Sequence, residues 1–204
     1  MLKEKMLEAI SKKCCEIDNH LTYEGVLFDC NLNFCREKIY NIYKLCEYIG
    51  KKYSINLETL KSEVNDVIKN GEQFVYDDSE EYLTSLHRSG AEIILLTYTS
   101  AENLDYQKLK IQGSGLDKYF DDKIYTTTNK YLLDIDYKNS VFIDDHPDEV
   151  LGIYNKNAMQ VIRIKRPDVK YSKIEINQKG IIEVSSLREL LSLKMNGLKK
   201  TSPD

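Results

Sequence analysis

An acid, a hydroxyl or an acidic pair stands where several apolar runs of the sequence end. The run VLF stops at Asp29, the run IILL at Thr97, and the run VFI at Asp144 and Asp145, while Lys130 precedes the last run. Carboxylate oxygens are ligands that Mg²⁺ prefers, and hydroxyl and ammonium groups bind phosphate oxygens. If folding gathers these side chains, they can hold a magnesium ion and a phosphate together.

The elements that would gather these residues are strands of a parallel sheet. Continuous apolar runs alternate with helical patterns, which is typical of a parallel sheet covered by helices on both faces. The carboxyl ends of such strands share one edge, and ligands bind there. The predicted strands cover residues 25–29, 91–97, 122–128, 140–145, 159–164 and 181–184.

Helical spacing fills much of the remaining chain. Apolar residues three or four apart predict a first helix over residues 2–17. The stretch 35–75 carries only helical patterns, so we interpret it as an insertion over one edge of the sheet. The predicted domains are an α/β core of residues 1–34 and 76–196, a helical cap of residues 35–75, and a tail or linker of residues 197–204.

Composition narrows the function classes. The chain has 204 residues and a net charge of −4 at pH 7, and this length suits one domain with a small insertion. Nucleic-acid binders normally show a basic excess or stripe, so no nucleic-acid partner is expected. No apolar run approaches the roughly 20 residues that span a bilayer, and the N-terminus lacks the apolar block of a Sec signal. We expect a cytoplasmic protein with reduced cysteines; signal-independent secretion stays open, and the sequence indicates no oligomeric state.

The ordered set of motifs resembles the haloacid dehalogenase (HAD) superfamily of phosphohydrolases. FDCNLNF stands where that family has DxDxT, LLTYTS where it has a motif ending in Thr or Ser, Lys130 at its third motif, and FIDDHPDEV at its acidic fourth motif. The resemblance spans roughly residues 24–193. It implies an α/β fold with a three-layer Rossmann-like core and a parallel sheet, a small helical C1-type cap and an extra N-terminal helix.

The resemblance also implies catalytic roles. Asp29 would be the nucleophile that forms an aspartyl-phosphate, a known use of a carboxylate. Thr97 and Tyr98 would bind the phosphoryl group, and a hydroxyl at 99 or 100 could substitute for that of Thr97. Lys130 would neutralise the charge that develops on the phosphoryl oxygens and on Asp29.

The same resemblance implies a magnesium site and a kind of substrate. Asp29, the backbone carbonyl of Asn31, Asp144 and Asp145 would surround Mg²⁺. The metal and the lysine together would allow an anionic carboxylate to attack an anionic phosphate. The expected partner is a phosphorylated substrate, either a small metabolite or a phosphoprotein.

One position departs from the family pattern in a way that affects chemistry. Asn31 stands where the phosphatases have the acid that protonates the leaving group and later activates water, and an amide can do neither. General acid–base help is worth about 10²–10⁴ in rate, and a phenol leaving group, with its pKa of about 10, needs the least of it. A natural Asn31 therefore favours aryl or acyl phosphates, phosphotyrosine included; a substitution introduced to trap a complex would give the same sequence.

Three other classes compete with a phosphatase. A degenerate HAD-like module would bind a partner or phospho-ligand without turnover, and Asn31, Leu32 and Asn33 favour it. A phospho-accepting receiver domain also uses Asp, Thr, Lys and an acidic pair, but it places the acidic pair after its first strand and has no helical insertion. A metal-free dehalogenase is disfavoured by Asp144 and Asp145.

Overall fold

The computed structural model of the chain describes residues 2–35, 41–167 and 171–197. The described residues form two compact units. The helical unit comprises the described parts of Met1–Val75 and Ala101–Lys118. The sheet unit comprises the described parts of Tyr76–Ser100 and Tyr119–Asp204. None of the helices in these described ranges combines the length and the apolar character that crossing a bilayer requires.

The helical unit packs five α-helices around an apolar core. These are α1 (Leu2–Ile17), α2 (Tyr23–Cys35), α3 (Ile42–Tyr53), α4 (Leu57–Lys69) and α6 (Leu104–Gly113). Asn56 caps α4 as its sequence position predicts, because its side chain accepts hydrogen bonds from the amides of Glu58 and Thr59. Asn41 caps α3 in the same way. The fully buried core side chains include Leu7, Ile10, Val26, Cys30, Leu45, Ile49, Leu60, Val64 and Ile68.

The sheet unit carries all the strands of the described residues. They are β1 (Ile94–Tyr98), β2 (Asp122–Thr126), β3 (Val141–Asp144), β4 (Gln160–Ile164) and β5 (Ile181–Val184), with helices α5 (Asp77–Arg88), α7 (Pro147–Tyr154) and α8 (Leu187–Gly197). Strand β1 pairs in parallel with β2. A second sheet has the order β3-β4-β5, again with every pair parallel.

Helices cover both faces of the three-stranded sheet, which produces three layers. On one face Phe142 and Val161 pack with Val150 and Ile153 of α7. On the other face, Ile162 and its neighbours pack with Tyr82 of α5 and Leu190 of α8 (the apolar partners are Ile143, Ile164, Ile182, Val184, Leu86, Leu187 and Leu191). Consecutive side chains of a strand point to opposite faces, so the neighbours Phe142 and Ile143 of β3, like Val161 and Ile162 of β4, supply both layers. The α/β class and the parallel sheet predicted from the sequence are confirmed.

The strand predicted over residues 25–29 is wrong, because this segment lies within α2. Val26 and Cys30 are four residues apart and both are completely buried in the helical unit, which is the spacing of one helical face. Thr22 begins the helix, and its hydroxyl accepts a hydrogen bond from the amide of Gly25 at 3.3 Å. A short apolar run fits a buried strand and a buried helix equally well, and packing against α1 and α3 decides for the helix here.

The two units also divide the chain differently from the predicted domains. Residues 1–34 were predicted in the α/β core, but the described part of this segment groups with the helices, and so does Ala101–Lys118. The cause is again α2, which joins the helical core and supplies no strand. The interpretation of residues 35–75 as a cap stays a prediction.

Asp78 is expected to be a principal stabiliser of the sheet unit. Its buried carboxylate accepts a hydrogen bond from Arg166 at 2.6 Å and from the amide of Leu187, at the start of α8, at 2.7 Å. Asp78→Ala leaves Arg166 without its buried partner, so we expect a loss of about 3 kcal/mol in the free energy of unfolding, measured with urea. The exposed neighbour Asp77, replaced in the same way, should change this free energy by less than about 0.5 kcal/mol.

The contact of Asp78 with Arg166 also makes the free energy of unfolding depend on pH in a defined direction. Burial would raise the pKa of Asp78, but the hydrogen bonds from Arg166 and Leu187 outweigh it and leave the pKa below its ordinary value. Its stabilising contribution is therefore present above the unfolded pKa of about 3.9 and is lost as the pH falls through the folded pKa. Urea titrations between neutral pH and pH of about 3 should show a steeper loss for the parent protein than for Asp78→Ala.

Candidate active site

A buried ion pair lies where strands of the sheet unit end. The Nζ of Lys130 donates a hydrogen bond to Oδ2 of Asp144, the last residue of β3. The two side chains are only 13% and 7% exposed. Lys130 follows β2 in the chain, so this contact joins the carboxyl end of β2 to the carboxyl end of β3. The structure thus brings together two of the residues that the sequence predicts at one sheet edge.

Asp145 adds a second carboxylate directly beside this pair. Asp145 itself is exposed, but desolvation of its carboxyl group, and after that the charge of Asp144, raise the pKa of Asp145 above its ordinary value. Asp144 is fixed further by the backbone amide of His146, which donates to Oδ1 at 2.8 Å. We call Lys130, Asp144 and Asp145 the strand-end cluster. It holds two acids and one lysine, of which Lys130 and Asp144 are shielded from water and Asp145 is exposed.

Glu149 positions the lysine, a role that the sequence analysis did not assign. It lies in the first turn of α7 and is 7% exposed. Its Oε2 accepts hydrogen bonds from the amide of Lys130 at 2.8 Å and from the amide of Tyr131 at 3.4 Å. Pro147 begins this helix, as its sequence position predicts, and His146 caps it. The sequence did contain a signal for Glu149, because this residue follows the acidic pair Asp144 and Asp145 by about one helical turn.

The residues whose hydroxyl groups are predicted to bind the phosphoryl group lie at the end of β1. Thr97 and Tyr98 are the last two residues of this strand, and Tyr98 is 55% exposed. Just beyond it, the amide of buried Thr99 donates to the carbonyl of Thr126 at 2.8 Å, which extends the pairing of β1 with β2. The short 3₁₀ turn Lys130–Leu132 packs against β1. Thr97, Tyr98 and Lys130 therefore belong to neighbouring strand ends of one unit.

An aromatic pair follows the acidic pair. The ring centroids of His146 and Tyr171 are 4.4 Å apart. Tyr171 is held by Arg163, a fully buried residue of β4 whose guanidinium donates to the Tyr171 carbonyl and to Glu183, both at 2.7 Å. The sequence analysis assigned no role to Tyr171 or Arg163, because no local pattern marks a contact across these distances in the chain.

Asp29 and Asn31 lie in the helical unit, on α2. The carboxylate of Asp29 accepts hydrogen bonds from Lys52 and from the hydroxyl of Tyr53, at the end of α3. Burial would raise the pKa of Asp29, but these two partners keep it below its ordinary value. Burial, and then the bond to Asp29, raise the pKa of Tyr53 to about 12. The Asn31 amide donates to the carbonyl of Leu27 in its own helix at 2.9 Å.

The described residues contain no group of three or more His, Cys, Asp or Glu side chains able to hold a metal ion. Of the predicted ligands, the structure places Asp144 and Asp145 side by side, and Asp29 and Asn31 belong to the other unit. A pair of carboxylates still fits Mg²⁺, which usually keeps several waters and binds through one or two carboxylates together with substrate phosphates. The raised pKa of Asp145 agrees with this fit, because a divalent cation would relieve the repulsion between the two acids.

Comparison with known proteins gives a likeness in structure alone. No protein-family model matches the sequence, and none of the curated proteins matches it either. The structure is similar to the crystal structure of a HAD phosphatase from Thermococcus onnurineus, with a TM-score of 0.59 and 17% sequence identity over 94% of this chain and 91% of that chain. It also matches the putative HAD-hydrolase YfnB from Bacillus subtilis, bound to magnesium, with a TM-score of 0.46 and 14% identity over 94% of this chain and 82% of that chain.

The likeness to the Thermococcus onnurineus structure, together with the three layers of the sheet unit, shows an α/β fold like that of this HAD phosphatase. The resemblance noted from the motifs is confirmed at the level of the fold. At this sequence identity the comparison says nothing of the reaction, which has to be argued from the site.

Proposed function

We propose that the protein is an Mg²⁺-dependent phosphomonoester hydrolase that acts through an aspartyl-phosphate. The observation that carries the proposal is the buried contact of Lys130 with Asp144 beside Asp145, at the carboxyl ends of parallel strands. An ordinary ion pair on the surface would be exposed to water and would not lie at the ends of parallel strands. A lysine and two acids at this edge of a HAD-type fold support phosphoryl transfer better than any other chemistry weighed above.

The steps follow from the groups that the chain supplies. A carboxylate oxygen of Asp29 attacks phosphorus and forms an acyl-phosphate bond, while the bond between phosphorus and the leaving-group oxygen breaks. Water then attacks the phosphorus, the bond between phosphorus and the Asp29 oxygen breaks, and inorganic phosphate and the free carboxylate are released. Lys130 balances the charge on the phosphoryl oxygens in both steps. Thr97 and Tyr98 bind those oxygens from the end of β1.

Magnesium belongs to the same proposal. Asp144 and Asp145 would hold the ion, and Asp29 and the carbonyl of Asn31 would complete the ligand set that the motifs imply. When bound, Mg²⁺ supplies electrostatic stabilisation of the phosphoryl oxygens. The proposed substrate is a phosphorylated metabolite or a phosphoprotein, with residues 35–75 acting as the cap that selects it.

Turnover of p-nitrophenyl phosphate with and without Mg²⁺ tests the function. We expect hydrolysis that requires the metal, stops when the metal is chelated, and is lost in Asp145→Asn. The exposed Asp148, replaced by Asn, is the matched control and should keep the parent rate. Hydrolysis that persists at the same rate in Asp145→Asn would contradict the proposal.

Asn31 leads us to propose a preference for good leaving groups. An amide cannot donate the proton that an alkoxide needs on departure, whereas a phenolate leaves without it. The ring of Tyr171 lies against His146, the residue that follows Asp145 in the chain, and an aromatic surface there agrees with an aryl group. We expect a phosphotyrosine peptide to be hydrolysed at least about tenfold faster than a matched phosphoserine peptide. Equal rates on the two peptides would show that Asn31 does not select the leaving group.

The second candidate function is a HAD-like binding module with little turnover. The exposed Asn31, bonded only to its own helix among the contacts described, favours it. Asn31→Asp separates the two functions. If the scaffold is otherwise competent, restoring the acid should raise kcat for an alkyl phosphate by about 10²-fold or more. Asn31→Gln keeps an amide at this position and should not raise it. An unchanged kcat in Asn31→Asp would favour the binding module.

A further inference from the structure

The aromatic pair of His146 and Tyr171 stands apart from the packed interior of the sheet unit. The two ring centroids are 4.4 Å apart, with an angle of 56° between the ring planes. Among the described residues, Tyr171 is part of neither apolar cluster that covers the three-stranded sheet. His146 and Tyr171 are both only half-buried, so the pair keeps aromatic surface that a further ring can contact.

Two hydrogen bonds fix the histidine of this pair beside the strand-end cluster. The backbone amide of His146 donates to Oδ1 of Asp144 at 2.8 Å. The Nδ1 atom of the His146 ring accepts from the amide of Asp148, in the first turn of α7, at 3.2 Å. The backbone of His146 therefore contacts the cluster directly, while the helix that follows holds its ring.

The tyrosine of the pair is held from strand β4. Arg163 is fully buried and lies on β4 opposite Asp144 of β3. One terminal nitrogen of its guanidinium donates to the carbonyl of Tyr171, and the other donates to Glu183 of β5, both at 2.7 Å. Arg163 thus reaches from the sheet to the backbone of the residue whose ring meets His146.

The surroundings of Arg163 favour a positioning role over a purely structural one. Its Nε atom is buried and has no hydrogen-bond partner among the described residues, and a buried donor left unbonded opposes folding. Buried ionic groups often stabilise a protein no better than apolar residues of similar volume. Glu183 does not depend on Arg163 either, because its side chain is 31% exposed and lies 3.8 Å from Nζ of Lys165.

We propose that Tyr171 is a specificity-determining residue, and that Arg163 is the residue that positions it. The ring of Tyr171, together with that of His146, contacts an aromatic group attached to the phosphoryl group of the substrate. This inference rests on the function proposed above and adds a second source of preference for aryl and aroyl phosphates. Asn31 selects for the acidity of the leaving group, whereas the aromatic pair selects for the presence of a ring.

Two acyl phosphates separate the ring from the acidity of the leaving group. Benzoyl phosphate and acetyl phosphate release carboxylates of similar basicity, but only benzoyl phosphate carries a ring. We expect kcat/KM of the full chain with Mg²⁺ to be about two- to tenfold higher for benzoyl phosphate, the size of one contact between aromatic rings. The difference should lie in KM, because such a contact binds substrate and transition state alike. Tyr171→Leu should abolish the preference, and Tyr171→Phe, which keeps the ring, should retain it.

Arg163→Met tests the positioning role. We expect this variant to lose most of the preference for benzoyl phosphate, while its melting temperature changes by less than about 4 °C. Glu183→Gln alters the other partner of Arg163 and leaves the bond to Tyr171 intact, so this matched control should keep the preference. A lower melting temperature together with an unchanged preference would show that Arg163 is only structural. If Arg163→Met does not fold, Tyr171→Leu still decides whether the ring selects the substrate.

Binding of two phosphonates tests the inference without turnover. Phenylphosphonate carries a ring and methylphosphonate does not, and calorimetric titration measures their affinities for the protein in the presence of Mg²⁺. We expect phenylphosphonate to bind about two- to tenfold more tightly to the parent protein and no more tightly to Tyr171→Leu.

The outcomes distinguish this inference from the proposed function. A preference for phenylphosphonate that needs Tyr171, without hydrolysis of any phosphate, would refute the proposed function alone. Hydrolysis of both acyl phosphates without a preference for the ring, or with one that survives in Tyr171→Leu, would overturn this inference alone. Neither binding nor hydrolysis would refute both.

Discussion

Asp29→Asn is expected to lower kcat/KM for p-nitrophenyl phosphate by about 10⁴-fold or more, a size typical of removing a nucleophile. An amide has the shape of the carboxylate but does not attack phosphorus. The covalent phosphoryl adduct should vanish as well, and the intact mass of acid-quenched enzyme measures this directly. Loss of rate and loss of adduct together identify Asp29 as the nucleophile.

A matched control distinguishes the loss of the nucleophile from the loss of a negative charge on α2. Glu24→Gln removes one exposed acid from the same helix and should keep both the rate and the adduct. Because Asp29 also binds Lys52 and Tyr53, thermal melting of both variants verifies that the helical unit stays folded. If Asp29→Asn retained the parent rate and still formed an adduct, the nucleophile would be another residue.

Lys130→Met is expected to have two separable effects. It leaves the carboxylate of Asp144 buried without its partner, and breaking a buried pair in this way costs about 3–5 kcal/mol in the free energy of unfolding. It also removes the charge that stabilises the transferring phosphoryl group, for which we expect a kcat lower by about 10²–10³-fold. Urea titration measures the first effect and steady-state kinetics the second.

A double variant distinguishes these two effects. Replacing a whole buried pair with apolar residues is often neutral or stabilising, so Lys130→Met with Asp144→Leu should recover much of the stability and none of the activity. Lys138→Met removes an exposed lysine nearby in the chain and should alter neither quantity. If Lys138→Met lowered the rate and Lys130→Met did not, the lysine of the third motif would have been assigned to the wrong residue.

Prediction from the sequence succeeded where the local signal and the tertiary environment agree. The runs that became β3 and β4 are mainly apolar, and helices on both faces of the sheet require this. The cap at Asn56 and the helix start at Pro147 depend on backbone groups within one turn, so neighbouring residues suffice to predict them. Lys130 and Asp144 each follow or end a strand, and parallel strands bring such positions to a common edge.

Prediction failed where two structures satisfy the same local pattern. Residues 25–29 carry an apolar run that suits a strand, but the burial of Val26 and Cys30 against other helices, and the bonds of Lys52 and Tyr53 to Asp29, place it in α2. Glu149, Arg163 and Tyr171 escaped notice because their partners lie between eight and 25 residues away in the chain.

The sequence by itself determined the α/β class, the parallel strands from β1 onward, and the set of acids, hydroxyls and lysine available for chemistry, because periodicity and residue type are local properties. Only the tertiary structure decided which of these groups meet. It joined Lys130 to Asp144, gave that lysine a buried anchor in Glu149, and held Asp29 on a helix, since each of these contacts depends on the packing of elements remote from one another in the chain.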